Sequence, residues 1–173
     1  MGKRSDFERV ERDFYPTPYE AVVPLLGHLP SGCNYVEPCC GDGALMRHLS
    51  VYSCMFACDI EPRIPYASTL DFARLDSEHV RGADYIITNP PWDRKILHPI
   101  IEHFCHLKPT WLLFDADWSH TRQSAPYMKW LAKIVSVGRV KWIPDSKMTG
   151  KDNCAWYLFD ARHVGPTEFV GRV

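Results

Sequence analysis

Short apolar segments alternate with segments of helical periodicity along most of this chain, and this alternation is the strongest constraint on its fold. Apolar residues recur at helical spacing at 44–49 and 96–104. Strands are predicted for four apolar runs, at residues 35–37, 55–60, 85–88 and 111–114. Strands that alternate with helices in this way predict a largely parallel sheet with helices on both faces.

The two ends of the chain add elements to this core. Thr17-Pro18-Tyr19-Glu20 predicts a helix start, with Thr17 as the N-cap and Pro18 as the first helical residue, and the helix continues to residue 26. Toward the C-terminus, residues 125–134 predict another helix. Residues 137–143 and 155–159 predict a final antiparallel pair of strands joined by a polar loop.

Composition narrows the class of protein. The 173 residues are 46% hydrophobic and contain no repeat or low-complexity linker, so we expect one domain over residues 1–173, in which 1–13 form an arm or short helix. Lys and Arg total 20 against 21 for Asp and Glu, which excludes a uniformly basic surface. We find no apolar run of membrane-spanning length and no secretory signal, so we expect a cytoplasmic protein without a membrane partner.

The cysteines favour buried thiols over a metal site. Their number is seven, and an odd number excludes a fully paired disulfide framework. The spacing closest to a zinc site is Cys54-x-x-x-Cys58, but Cys58 lies within an apolar run that is typical of a buried strand. We therefore expect reduced, buried thiols and no metal.

Two turn motifs follow the first two predicted strands. Glu37-Pro38-Cys39-Cys40-Gly41-Asp42-Gly43 contains two glycines that allow a tight turn and a close approach of the backbone to a ligand. Its acidic residues disfavour a bare phosphate and favour a ligand with cationic groups. Asp59 lies 16 residues after Gly43, at the end of the second strand, where a carboxylate can accept hydrogen bonds from a ribose diol.

Two further motifs suit a planar group that carries an amine. Asp71 followed by Phe72 offers an acceptor for an adenine amine beside an apolar ring, and Asp76 is an alternative acceptor. The string Asn89-Pro90-Pro91-Trp92 follows an apolar strand. Its prolines hold the chain extended, so that a side-chain amide and an outward carbonyl lie beside a large aromatic ring.

Together these strings resemble class I S-adenosylmethionine-dependent methyltransferases, in particular the group that methylates the N6 amine of adenine in DNA. Asp13-Phe14-Tyr15-Pro16-Thr17-Pro18 is similar to the N-terminal motif of this group, and residues 37–45 are similar to its cofactor loop. Residues 153–157 resemble the late strand that closes its sheet. The motif order resembles the γ-type arrangement, and the small size resembles phage-encoded members in a bacterial cell or an infected host.

The resemblance implies a Rossmann-like α/β fold with a mostly parallel seven-stranded sheet, an antiparallel final strand and S-adenosyl-L-methionine as cofactor. It implies that Asn89 and the Pro90 carbonyl accept the amine hydrogens and that Trp92 stacks on the base. The implied catalytic residues are Asn89, Pro90, Pro91 and Trp92. The implied cofactor-binding residues are Tyr15, Thr17, Pro18, Glu37, Cys39, Gly41, Gly43, Asp59, Ile60, Asp71, Phe72 and Asn89.

A basic segment is the expected contact to nucleic acid. Residues 122–151 contain seven basic residues and one acidic residue, although the whole chain is nearly neutral. A phosphate backbone or plain solvation explains this bias equally well. The candidate contacts are Arg122, Lys141, Lys147 and Lys151.

The sequence leaves alternatives open for the source of specificity and for the substrate. We expect no separate target-recognition domain of the kind that many DNA enzymes carry. Strict sequence specificity is then either absent, or placed on the polar loops at 141–153 and after Trp118, or supplied by a separate specificity subunit. A homodimer is a further possible assembly. DNA is the expected partner. RNA adenine, a protein glutamine, or a non-catalytic nucleic-acid-binding subunit are the alternatives.

Overall fold

A computed structural model describes residues 14–143 and 150–172, and the element bounds below refer to these residues. The helices are α1 (Tyr19–Leu26), α2 (Ala44–His48) and α3 (Arg94–Leu107), and shorter 3-10 segments cover Phe72–Arg74, Ala116–His120 and Arg122–Trp130. The strands are β1 (Asn34–Glu37), β2 (Ser53–Asp59), β3 (Ser68–Thr69), β4 (Tyr85–Thr88), β5 (Thr110–Asp115), β6 (Leu131–Gly138), β7 (Cys154–Phe159) and β8 (Glu168–Val170).

The described strands form one sheet in the order β3-β2-β1-β4-β5-β7-β6-β8. All neighbouring pairs are parallel except those of β7, which runs antiparallel to both β5 and β6. The predicted α/β fold with a mostly parallel sheet is therefore confirmed. The sheet has eight strands rather than seven, because residues 168–170 add a short parallel strand beside β6.

The sheet separates two hydrophobic layers, as the alternation of strand side chains requires. Val36, Ile86 and Leu112 point to one face and pack with the buried side of α3. Their sequence neighbours Tyr35 and Ile87 pack on the opposite face, in the cluster that contains the buried residues of α1 and α2. Each face of the sheet is thus covered by helix, and the carboxyl edge of the strands is left open for a site.

Two expected elements are wrong in the C-terminal third. Residues 125–134 do not form an α-helix: a 3-10 segment ends at Trp130, and β6 begins at the next residue. Pro126 lies inside the 3-10 segment and cannot donate a backbone hydrogen bond. β6 is paired on both sides, by β7 and β8, and this pairing prevails over the helical spacing of its apolar residues. The expected strand 137–143 overlaps the observed strand only at residues 137–138.

The expected cap of the first helix is also wrong. α1 begins at Tyr19 with Pro18 at the N-cap and without a side-chain cap hydrogen bond. Thr17 lies outside the helix and is buried, with 5% of its surface exposed. Its hydroxyl has another partner, which is described with the site.

None of the described helices is long and apolar enough to cross a membrane.

Candidate functional site

A cavity of about 700 Å³ opens at the carboxyl ends of β1, β2 and β4. Several expected cofactor residues line it: Tyr15, Thr17, Glu37, Cys39, Gly41, Asp59, Ile60, Asp71, Phe72 and Asn89. Pro91 of the expected catalytic motif also lines it. The other expected residues of the two sets, which are Pro18, Gly43, Pro90 and Trp92, are not among its lining residues. The fold thus brings together residues that lie up to 86 positions apart in the sequence, from Phe14 to Ile100.

The glycine turn between β1 and α2 forms one wall of the cavity. Gly41 and Gly43 have φ angles of 48° and 74°, a conformation that glycine adopts without steric cost. The backbone N–H of Gly41 donates to Asp59 Oδ2 at 2.9 Å. The other carboxylate oxygen of Asp59 accepts from the N–H of Glu61 at 2.9 Å, so this side chain is held in one orientation at the end of β2.

Phe14 lies directly over this turn. A Cβ atom added to Gly41 would lie 2.6 Å from the Phe14 ring. The Arg63 guanidinium stacks on the ring at 3.6 Å from its centroid, and the Arg63 N–H donates to the Gly41 carbonyl at 2.8 Å. This pairing of Phe14 with Arg63 was not predicted, because a cation–π pair across 49 positions leaves no local sequence signal.

Replacing Gly41 with alanine should weaken ligand binding in the cavity and lower the melting temperature. The new methyl group clashes with Phe14, and the left-handed backbone conformation adds about 1–3 kcal/mol of strain. Thermal unfolding with and without ligand measures both effects. Gly27→Ala is the matched control, because a Cβ atom there meets nothing within 4 Å and its φ is −68°. Equal effects of the two substitutions would contradict the close approach of Phe14.

Glu37 is a buried carboxyl group at the end of β1. Only 2% of its surface is exposed, and Oε2 has no hydrogen-bond partner. Burial raises the pKa of the Glu37 carboxyl well above its ordinary value, and the nearby Asp59 and Asp42 carboxylates raise this pKa further. A buried acceptor without a partner is costly in a folded protein, so this oxygen suits a donor that a ligand supplies.

Asp71 and Phe72 form the wall beyond β2. Asp71 accepts from the N–H of Ala73 at 2.9 Å, and the Phe72 ring packs edge-on against Phe104. Asp76, the alternative acceptor, does not line the cavity and instead accepts from the backbone N–H groups of Glu78 and His79. The geometry therefore favours Asp71 over Asp76 as the group beside a bound planar ring.

The Asn89 amide is held by hydrogen bonds at both of its polar atoms. Nδ2 donates to the hydroxyl of Thr17 at 3.1 Å, which is the partner that replaces the expected helix cap. Oδ1 accepts from the indole N–H of Trp92 at 3.4 Å. The same indole N–H lies 3.2 Å from the carbonyl oxygen of Leu113 on β5. The amide thus presents its oxygen in a defined direction at the cavity wall.

An ion pair lies at the neighbouring strand end. Arg94, at the start of α3, contacts Asp115 of β5 at 2.8 Å. A second guanidinium nitrogen of Arg94, Nη1, is buried without a hydrogen-bond partner. No local sequence pattern indicates Arg94, because its partner is 21 residues away on another element.

The described members of the expected nucleic-acid set lie near the ends of β5, β6 and β7 that are at the same end of the sheet as the cavity. Exposed Arg122 follows the turn after β5, and Lys141 follows the carboxyl end of β6. Exposed Lys151 precedes β7, which runs antiparallel and so begins at that same edge. Lys147 lies outside the described residues.

The cysteines are all free thiols, and five of the seven are buried. Burial raises the pKa of Cys40 to about 12, so this thiol beside the cavity is neutral at physiological pH. Within residues 14–143 and 150–172, no group of three or more His, Cys, Asp or Glu side chains is arranged to hold a metal ion.

The fold is that of Rossmann-like methyltransferases. A dimethyladenosine transferase from Plasmodium falciparum matches 84% of this chain with a TM-score of 0.54 and 14% identity. A chain of a type I restriction–modification system matches 95% with a TM-score of 0.57 and 14% identity. A precorrin-6y C5,15-methyltransferase from Geobacter metallireducens matches 82% with a TM-score of 0.52 and 9% identity, over 87% of its own length.

These likenesses define the fold. No protein-family model and no curated protein sequence matches this chain. The chain spans 62% of the length of the P. falciparum structure and 46% of the restriction–modification chain.

Proposed function

We propose that this protein is an S-adenosyl-L-methionine-dependent methyltransferase that acts on the exocyclic N6 amine of adenine in nucleic acid, with DNA as the principal substrate. The observation that carries the proposal is the Asn89 amide, which is held between Thr17 and Trp92 at the wall of the cavity. Structures with the same fold include a dimethyladenosine transferase and a restriction–modification protein, which is consistent with an adenine acceptor.

The residues along the carboxyl edge fit the parts of this cofactor in order. Phe72 and Asp71 lie beyond β2 and suit the adenine ring and its amine. Asp59 ends β2 and has free lone pairs for the ribose hydroxyls, since each carboxylate oxygen accepts one backbone N–H. Glu37 ends the next strand, β1, and its unpartnered oxygen suits the ammonium group. The cavity of about 700 Å³ has room for the whole molecule.

Asn89 would then act on the acceptor amine. When bound, the cofactor supplies an electrophilic methyl group on a sulfonium. The lone pair of an adenine N6 amine is delocalised into the ring, and hydrogen-bond acceptors for both amine hydrogens localise it on nitrogen. Asn89 Oδ1 at the cavity wall would accept one amine hydrogen, and the adjacent Pro90 carbonyl, although Pro90 is not among the lining residues, would accept the other. Because β4 lies beside β1 in the sheet, Asn89 holds the amine close to the ammonium end of the cofactor.

Access of the acceptor sets a further requirement. A base inside a duplex cannot reach a cavity at the edge of a sheet, so the target base has to be flipped out or single-stranded. The basic residues beyond β5, β6 and β7 lie at this same edge and suit the flanking phosphates. Arg122, Lys141 and Lys151 are the described candidates.

A labelling assay tests the proposal. The purified chain is incubated with S-adenosylmethionine carrying a radiolabelled methyl group and, in separate reactions, with DNA, RNA and protein acceptors. We expect label in DNA, recovered as N6-methyl-2′-deoxyadenosine after digestion. Label in RNA would show that the acceptor is RNA rather than DNA. Label in glutamine would show that the acceptor is a protein rather than a nucleic acid. Cofactor binding without methyl transfer to any acceptor would contradict the proposed enzymatic activity and would favour a non-catalytic binding subunit.

A further inference from the structure

Trp142 lies against the residue that orients the Asn89 amide. Its ring packs edge-to-face on Trp92, with 5.6 Å between ring centroids and an interplanar angle of 87°. Trp92 is itself only partly buried, although its indole N–H is bonded to both Asn89 Oδ1 and the Leu113 carbonyl. The edge-to-face contact with Trp142 adds to these two hydrogen bonds in restraining the partly buried indole.

Trp142 is in turn fixed by the backbone around it. The N–H of Gly150 donates to the carbonyl of Val140 at 2.9 Å, which closes the base of the segment between β6 and β7. A Cβ atom at Gly150 would lie 3.0 Å from the Val140 oxygen and 3.1 Å from Trp142 Cδ1, so the indole rests on the bare glycine. Lys141 immediately precedes Trp142, and its backbone N–H donates to the Glu20 carboxylate of α1 at 2.6 Å.

These contacts connect the segment to both sides of the amide. Glu20 is on α1, three residues after Thr17, whose hydroxyl accepts from Asn89 Nδ2. Trp142 reaches the other side of the amide through Trp92. Truncation of Trp142 would allow the Trp92 ring to rotate, and rotation breaks the bond that sets the direction of Asn89 Oδ1.

We propose that Trp142 is a positioning residue for methyl transfer, acting through the Trp92 indole on the Asn89 amide. The proposal rests on the proposed function, because it assigns Trp142 a role in the same site. Trp142 is not among the residues that line the cavity, and its effect is therefore on the rate of transfer rather than on cofactor binding.

Trp142→Ala and Trp142→Phe test the proposal. We expect the single-turnover rate of Trp142→Ala to fall about 10- to 100-fold, with cofactor affinity unchanged, because a small misplacement of a positioned group costs up to that factor. Trp142→Phe keeps an aromatic edge against Trp92 and should recover most of the rate. Trp130→Ala is the matched control, since Trp130 lies at the amino end of β6, whereas the cavity lies at the carboxyl ends of the parallel strands. A rate of Trp142→Ala equal to that of the wild-type protein would overturn the proposal.

A double-mutant cycle separates positioning from general loss of structure. If Trp142 acts through Asn89, Trp142→Ala should cost little further rate in a chain that already carries Asn89→Ala. Additive losses would show an independent, structural effect. Should Trp142→Ala fail to fold, Gly150→Ala displaces the indole by steric contact and should give the same rate loss.

Hydrogen exchange of the Trp92 indole N–H gives a readout that needs no activity. We expect faster exchange in Trp142→Ala than in the wild-type protein, because the indole loses its cover while its two acceptors remain. This result stands even if the wild-type protein transfers no methyl group, so failure of the proposed function and failure of the positioning role are distinguishable. Unchanged exchange would overturn the positioning role alone.

Discussion

Replacement of Asn89 by alanine should lower the single-turnover rate of methyl transfer to an adenine-containing oligonucleotide by about 100- to 1,000-fold, the range found when one preorganised hydrogen-bonding group is removed from an active site. The substitution removes the Oδ1 acceptor that Trp92 and Thr17 hold in place. Cofactor affinity should change little, because the glycine turn, Asp59 and Glu37 lie on other strands. Transfer is measured by nucleoside analysis, and affinity by calorimetry.

Two companion variants test the role of orientation. Thr17→Val removes the acceptor of Asn89 Nδ2 without emptying the space, so the amide keeps one of its two restraints. Its rate should lie between those of the wild-type protein and Asn89→Ala. Asn89→Asp keeps an oxygen acceptor but loses the donor to Thr17, and should also be intermediate. If Asn89→Ala transfers methyl as fast as the wild-type protein, another group holds the reactive amine.

Replacement of Glu37 by glutamine should have opposite effects on the free protein and on its complex. In the free protein, the pKa of Glu37 is raised in the folded state. At pH values above the ordinary carboxyl pKa, the folded chain therefore keeps a proton on Glu37 that the unfolded chain has lost. The stability contributed by this group therefore falls as pH rises. Glu37→Gln removes the titrating group, so its melting temperature should exceed that of the wild-type protein by more at about pH 8 than at about pH 5.

In the complex, the same substitution should weaken cofactor binding by about 10- to 100-fold, as expected for a lost hydrogen bond to a charged group. The comparison ligand is 5′-methylthioadenosine, which lacks the amino-acid moiety and should bind both proteins equally well. Wild-type binding of S-adenosylmethionine should also release a proton, because the ammonium group favours the Glu37 carboxylate, and the heat of binding then depends on the buffer. Equal losses of affinity for both ligands would contradict the assignment of the cofactor ammonium group to Glu37.

The sequence predicted best those features that local segments encode. The four central strands, the helix over 96–104 and the fold class follow from periodicity, and the structure confirms them. The placement of Gly41, Asp59 and Asn89 around one cavity follows from the rule that parallel strands end at one edge.

The features that the sequence did not predict depend on distant partners. Thr17 has the local pattern of a helix cap, but its partner Asn89 is 72 positions away. The segment 125–134 has helical spacing, but β7 and β8 pair with its second half and make it a strand. The contact between Trp92 and Trp142 joins residues that no periodicity relates. In each case a tertiary contact outweighs a local preference of about 1 kcal/mol or less per residue.

The two outer strands of the sheet have a consequence for self-association. β3 contains two residues and β8 contains three, and they pair only with residues 58–59 of β2 and 133–135 of β6. On β8, Glu168 forms an ion pair with Lys133 of β6 at 2.9 Å and adds charge to that edge. Short, charged edge strands protect sheets against intermolecular strand pairing and aggregation. The β8 edge therefore disfavours a dimer formed by a continuous sheet, whereas residues 53–57 of β2 extend beyond β3.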